Sequence, residues 1–156
     1  TGFGNKRALD AGLHREAELA VRHKTPLSIL MVDIDHFKKI NDVYGHDSGD
    51  MALRVFASCL EGEARAADIV GRWGGEEFMV ILSNCTENEA VLFLSRAMKK
   101  LRESVVKTSR EPLRMTASAG YCSLSKALSP KDAIAKADKA LYKAKSIGRD
   151  QFIKYT

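Results

Sequence analysis

The chain has 156 residues, the size of one domain with a single substantial core. Hydrophobic residues at 45% and charged residues at 29% exclude a disordered or fibrous protein, and the longest apolar runs, 27–32 and 78–82, fall far short of the roughly 20 residues of a membrane span. The formal charge of +5 comes from 25 basic and 20 acidic residues mixed along the chain, which excludes the basic block of a duplex-DNA binder; the small surplus suits polyphosphate ligands or simply a solvated surface. Cys59, Cys85 and Cys122 are odd in number, widely spaced and form no CxxC pair, so neither a disulfide framework nor a zinc site is indicated and a cytoplasmic location is expected. Thr1-Gly2 reads as the middle of a turn, which suggests one domain, 1–156, excised from a longer protein.

No internal repeat or low-complexity linker divides the chain. The pattern predicts a helix over 6–23, broken by Lys24-Thr25-Pro26, then a buried strand over 27–32 that ends on Asp33-Ile34-Asp35. A short helix over 36–42 follows, and Val43-Tyr44-Gly45-His46 leads to a longer one carrying Leu53, Phe56, Ala57 and Leu60 at helical spacing. The runs 69–73 and 77–82 flank Gly74-Gly75 and read as an antiparallel hairpin. Thr86 and Glu89 form a capping box for a helix whose buried face is Ala90, Phe93, Leu94, Ala97 and Leu101. A strand over 115–124 precedes a helix opened by Ser129-Pro130 and Asp132, buried through Ile134, Ala137, Leu141 and Ala144 and stopped at Gly148; 151–155 adds a last short strand. This order implies an α+β fold, a central, mostly antiparallel sheet flanked by helices in the manner of ferredoxin-like folds. Architecture alone leaves the chemistry open.

Two acidic clusters carry the chemical signal. Period-two geometry places Asp33 and Asp35 on one face at the end of a strand, where they could bind a hard cation or equally cap a helix or decorate a solvated turn. In Gly74-Gly75-Glu76-Glu77-Phe78, glycines let a bulky ligand approach the backbone beside two glutamates, which the pleat directs to opposite sides; the plain alternative is a turn followed by surface glutamates.

Taken together, Asp33-Ile34-Asp35-His36-Phe37-Lys38-Lys39-Ile40-Asn41-Asp42, Tyr44-Gly45-His46, Gly49-Asp50, the Gly74 to Phe78 hairpin, Ala137-Asp138-Lys139-Ala140-Leu141-Tyr142-Lys143-Ala144-Lys145 and Gly148-Arg149 resemble the signature of the GGDEF family of diguanylate cyclases over essentially the whole chain. The resemblance implies a nucleotidyl cyclase palm-like fold and condensation of two GTP into cyclic di-GMP and two pyrophosphates by attack of a 3′-hydroxyl on an α-phosphate. It implies a homodimer of half-sites, two Mg2+ or Mn2+ ions per site, and an N-terminal sensory or dimerising region in the full protein. Metal would be held by Asp33, the Ile34 carbonyl and Glu76, with Glu77 a further acidic group. Glu76 is the family's proposed general base, or purely a ligand, since a metal-bound carboxylate is a poor base. Lys38, counted with Glu76 in the catalytic machinery, would join Lys145 and Arg149 on the phosphates, and free amides around Phe37 and Lys38 at a helix start offer a matching anion site.

Asn41 and Asp50 would read guanine, whose N1–H and exocyclic amine suit a carboxylate, and His46 would line the nucleotide pocket. Arg65-Ala66-Ala67-Asp68, five residues before the Gly-Gly pair, matches the family's RxxD product-inhibition site, with Arg96 completing it. The family commonly opens with Leu-Thr-Gly-Leu, an Asn and two arginines; Phe3, Gly4 and the Lys6 of Asn5-Lys6-Arg7 depart from this, as does Asp150 in place of the usual asparagine, and these changes touch the entry turn and exit strand. The alternative function is a catalytically silent cyclic di-GMP sensor, and a third is a palm-like enzyme using another nucleotide.

Overall fold

All eight residues of the strand Leu27–Ile34 (β1) are buried, because helices cover both faces of the sheet at this strand and an unbroken apolar run is what such a position requires. The computed structural model describes residues 6–124 and 129–156; the entry-turn departures Phe3 and Gly4 lie outside them. The remaining elements in chain order are α1 (Lys6–His23) before β1, then α2 (Phe37–Tyr44), α3 (His46–Glu63), β2 (Ile69–Gly74), β3 (Glu77–Ser83), α4 (Glu87–Glu103), β4 (Ala117–Ser123), α5 (Pro130–Ser146) and β5 (Phe152–Lys154).

The five strands lie in the order β2-β3-β1-β4-β5. β1 runs antiparallel to both β3 and β4, β2 is antiparallel to β3, and only β5 is parallel to its neighbour β4. The first four strands with their connecting helices thus make the expected ferredoxin-like α+β palm, and β5 widens it by one strand. Alternate residues of β1 serve two cores. Leu30, Val32 and Ile34 meet Phe56 and Leu60 of α3 and Leu94, Ala97 and Leu101 of α4, with Phe56 edge-on to Phe78 at 5.1 Å. Leu27, Ile29 and Met31 meet Leu9 and Leu13 of α1 and Ala133, Ala137 and Leu141 of α5. A fully buried Leu, Ile or Phe contributes roughly 1.5–3 kcal/mol, so these two faces hold the sheet between its helices.

The capping box of Thr86 and Glu89 is present in both directions, and Ser129 caps α5 through the Asp132 amide. Two elements differ most from expectation. The short helix begins at Phe37, not His36, because His36 takes a left-handed conformation (φ 56°) as the chain turns off β1, and it runs on to Tyr44 before Gly45 (φ 90°) redirects it. The strand expected over 115–124 is regular only over Ala117–Ser123, though single bonds from the Asp35 amide to the Thr116 carbonyl and from the Leu124 amide to the Leu27 carbonyl prolong the ladder. α5 lies directly on β4: a Cβ at Gly120 would come within 2.1 Å of the Leu141 nitrogen and 2.2 Å of the Ala137 oxygen, so only glycine permits this approach. Among the described residues no helix is long and apolar enough to cross a membrane.

Candidate active site

Asp33 stands one residue from the end of β1, on the face that α1 and α5 cover, and is paired in register with Glu77 of β3, so the two carboxylates share that face. α5 crosses the sheet here and presents two residues seven apart, two helical turns: Lys145 ion-pairs with Asp33, and Asp138 hydrogen-bonds Glu77. Asp33 Oδ1 and Glu77 Oε1 are buried with no hydrogen-bond partner. Burial raises Asp33 from 3.8 to about 6, against the lowering effect of Lys145 and with further upward pressure from Glu76 and Asp35. Glu77 is raised by burial first and then by its hydrogen bond to Asp138, since two carboxyl groups in contact are stable only when one keeps a proton.

The hairpin turns at Gly75 (φ 52°), with an irregular register between Arg72 and Gly74. Arg72 Nε donates to the Gly75 carbonyl at 2.7 Å and braces the turn. Glu76 leaves the ladder at this bend and faces a groove of about 480 Å³ that it lines with Ile34, Phe37, Lys38, Lys145 and Arg149. The structure therefore gathers both predicted acidic clusters and all three predicted phosphate cations at one end of the sheet. Arg72 was not singled out from the sequence; Asp138 lies within the matched 137–145 motif but was given no role, and its two-turn spacing from Lys145 was the signal for one.

Asp35 is not an open second carboxylate beside Asp33. Its Oδ1 accepts from Ser118 Oγ at 2.6 Å, and its Oδ2 accepts from Thr116 Oγ1 at 2.7 Å and from the Asp150 amide at 2.9 Å. Its charge still acts on Asp33, as do those of Glu76 and Glu77, but its oxygens are already filled. Among the described residues no three His, Cys, Asp or Glu side chains are arranged to hold a metal by themselves. A hard cation that takes carboxylate, carbonyl and phosphate oxygens needs no such cluster, and the orphaned Asp33 Oδ1 supplies the kind of donor it takes.

Asn41 projects from α2 onto α3, where a Cβ at Gly49 would fall 1.8 Å from Asn41 Oδ1 and 3.4 Å from the Phe37 ring, so the bare glycine is the seat of the amide. Asp50, exposed, is the next residue of α3. His46 opens α3 but borders a different depression, with Tyr44, Met51 and Lys107, and does not line the groove of Lys38 and Glu76.

On the opposite side of the hairpin, Arg65, Asp68 and Arg96 do come together around a cavity of about 290 Å³ with Glu89 and Phe93. Asp68 does not present a free carboxylate there: it accepts from the Arg65 amide at 2.8 Å, from the Arg65 guanidinium at 3.3 Å and from the Ser83 amide at 3.3 Å. Arg65 also donates to the Ser83 carbonyl at 2.6 Å. Asp68 thus fixes Arg65 on the strand end, and the exposed guanidinium faces the cavity with Arg96. The Asp150 departure is accommodated, since Asp150 adopts a left-handed φ of 47°, which the aspartate and asparagine side chains both tolerate, and pairs with Arg102 at 2.8 Å.

A palm-like α+β sheet with an acidic hairpin beside a cationic groove defines the class, and comparison with known proteins narrows it. The family model for the diguanylate cyclase GGDEF domain matches residues 1–151, and the chain belongs to this family. Diguanylate cyclase A of Treponema denticola is 41% identical over 129 residues, 82% of this chain and 35% of its own length, so the chain spans about a third of that relative. The active GGEEF domain of a Vibrio cholerae diguanylate cyclase superposes with a TM-score of 0.90 at 33% identity, covering 97% of both chains. The GGDEF domain of DgcB from Caulobacter crescentus, in complex with c-di-GMP, gives a TM-score of 0.95 at 29% identity over 99% of this chain and 92% of that one.

Proposed function

We propose that this domain condenses two GTP molecules into cyclic di-GMP and two pyrophosphates. The observation that carries the reading is the groove that Lys38, Lys145 and Arg149 line together with Glu76, beside a buried Asp33 carboxylate with one unfilled oxygen. The three cations take the triphosphate, and Lys145 exchanges Asp33 for a phosphate oxygen as the nucleotide enters. Asn41 and Asp50 accept and donate along the guanine edge, an edge adenine does not offer to a carboxylate. Asp33, the Ile34 carbonyl and Glu76, with Glu77 alongside, would hold two magnesium or manganese ions. Such ions, when bound, neutralise the leaving pyrophosphate and acidify the attacking hydroxyl.

In the reaction the 3′-oxygen of one GTP bonds to the α-phosphorus of the other, the bond to pyrophosphate breaks, and the hydroxyl proton leaves, to Glu76 where that side chain is free to act as base. Each chain carries one guanine-reading pair and one acidic hairpin, whereas the product contains two guanosines joined by two such bonds. Two chains must therefore face each other about a two-fold axis with the reacting atoms roughly 3–3.5 Å apart. An N-terminal region that sets this dimer completes the regulated protein. Arg65 and Arg96 hold the product's phosphates at the second cavity and thereby limit turnover; the cavity these two arginines share supports the site, and the DgcB relative in complex with c-di-GMP supports only binding of the product by such a domain.

The test is incubation of the purified domain with labelled GTP and magnesium, and separately with ATP, over a wide dilution series. Cyclic di-GMP from GTP alone, with specific activity rising with protein concentration, is the expected result. A domain that binds cyclic di-GMP but leaves GTP intact is a sensor, and activity that stays flat on dilution of a monomer overturns the two-chain mechanism.

A further inference from the structure

We propose that Asp35 is a positioning residue whose buried carboxylate grips the turn after α5 and so holds Arg149 over the phosphate groove. The inference rests on the reading of that groove as the triphosphate site. Residues 148–150 follow α5 with three successive positive φ angles, 133°, 62° and 47°. Glycine adopts such angles freely; an arginine is disfavoured there by its own Cβ and persists only where its surroundings fix it.

Those surroundings are visible bond by bond. The Arg149 amide donates to the Ala144 carbonyl at 3.0 Å, and the Gln151 side chain donates to the Arg149 carbonyl at 3.1 Å. Those bonds hold the turn to α5 and to itself, but the Asp150 amide, donating 2.9 Å to Asp35 Oδ2, ties it to the end of β1, 115 residues earlier. A second tether starts from α4, where Arg102 Nε donates to Asp150 Oδ1 at 2.8 Å.

Asp35 is itself rigid. It is 4% exposed and receives the Ser118 and Thr116 hydroxyls as well, so its remaining acceptor direction is set by β4. Backbone pairing already fixes the register of β1 on β4 as far as Ile34 and Ala117, and the Asp35 amide bonds the Thr116 carbonyl at 2.9 Å. The carboxylate is therefore not needed to align those strands. What it adds is the grip on Asp150, and with it the direction of the neighbouring Arg149, which lines the same groove as Lys38 and Glu76.

The test uses 3′-deoxy-GTP, which lacks the attacking hydroxyl and so binds without turnover, measured by calorimetry with magnesium. Asp35→Ala is expected to weaken binding about tenfold, the size of one charge-assisted contact, whereas Asp35→Asn, which still offers an oxygen to Asp150, stays within about threefold. Arg149→Ala alone should cost a similar factor, and adding Asp35→Ala to it should cost less than about twofold more, since residues acting through one group are not additive. Arg102→Ala, an exposed change that leaves the core untouched, should cost about two- to threefold and lose that effect in the Arg149→Ala background, which covers the case in which Asp35→Ala does not fold.

Hydrogen exchange at the Asp150 amide reads the grip without any nucleotide and should accelerate in Asp35→Ala. Multiplicative losses in the double variants, or unchanged exchange at Asp150, overturn the proposal. A wild-type domain that fails to bind 3′-deoxy-GTP overturns the reading of the groove instead, and the exchange rate then decides the role of Asp35 alone.

Discussion

Replacing Asp33 by asparagine should stabilise the metal-free domain while abolishing its turnover. Burial, with the partial relief that Lys145 provides, leaves the Asp33 carboxyl at about 6 instead of 3.8. Each unit of that difference corresponds to about 1.4 kcal/mol, so the ionised side chain costs the folded state up to about 3 kcal/mol at pH 7.5. The site is only 5% exposed, which leaves little solvent to screen that cost. Asparagine has the shape of the protonated acid and carries no charge. The released Lys145, 31% exposed, can reach water. A net gain of about 2 kcal/mol, or about 5 °C in Tm for a domain of this size, is expected at pH 7.5. The raised value fixes the sign with pH. The folded state holds its proton more tightly than the unfolded chain, so the wild type matches the variant below about 3.8 and falls behind as pH rises through about 6. Thermal melts of both proteins in chelator at pH 3.5, 5, 6 and 7.5 check this, and magnesium added at pH 7.5 should raise the melting temperature of the wild type only. A variant no more stable at pH 7.5 than at pH 3.5, relative to wild type, would refute the claim that a desolvated charge sits at this position.

Three other substitutions separate the proposed roles. Glu76→Gln keeps the side chain's shape in the groove but removes its charge, so turnover should fall at least about a hundredfold with the circular dichroism spectrum retained; near-normal rates would remove Glu76 from the catalytic machinery. Arg65→Ala should leave initial rates intact, cost no more than about 1 kcal/mol of stability because the Arg65–Asp68 pair is solvent-exposed on the arginine side, and weaken inhibition by added cyclic di-GMP, read by calorimetry. Gly49→Ala places a methyl where Asn41 Oδ1 now lies, so the amide must swing away. The KM for GTP should then rise about tenfold, as expected for one lost polar contact in a recognition site, and preference for GTP over ATP should shrink, with both nucleotides compared at equal magnesium.

The element order was legible in the residues because each signal acts within a few positions. Buried periodicity marked α3, α4 and α5, Thr86 with Glu89 and Ser129 with Pro130 marked helix starts, and Gly74-Gly75 marked the hairpin. Local readings failed where the feature is not periodic. The left-handed His36, the short Val106 and Leu113 bridge before β4, and the Arg72 brace depend on how the chain is turned by its neighbours and leave no periodic trace.

The sequence by itself determined the family, through motifs kept in order along the chain, and with it the candidate groups Asp33, Glu76, Lys38, Lys145 and Arg149. Only the tertiary structure decided how the acidic residues divide their work, since strand alternation treats Asp33 and Asp35 alike. Asp33 keeps Oδ1 without a donor because its face meets α5, where Lys145 bonds Oδ2 and Asp138 is taken up by Glu77. Asp35 lies one step beyond the paired ladder, where Thr116, Ser118 and the Asp150 amide reach it from segments 81 to 115 residues away and fill its oxygens. A carboxylate's role follows from which donors surround it, and when those donors come from remote parts of the chain no local pattern can reveal them.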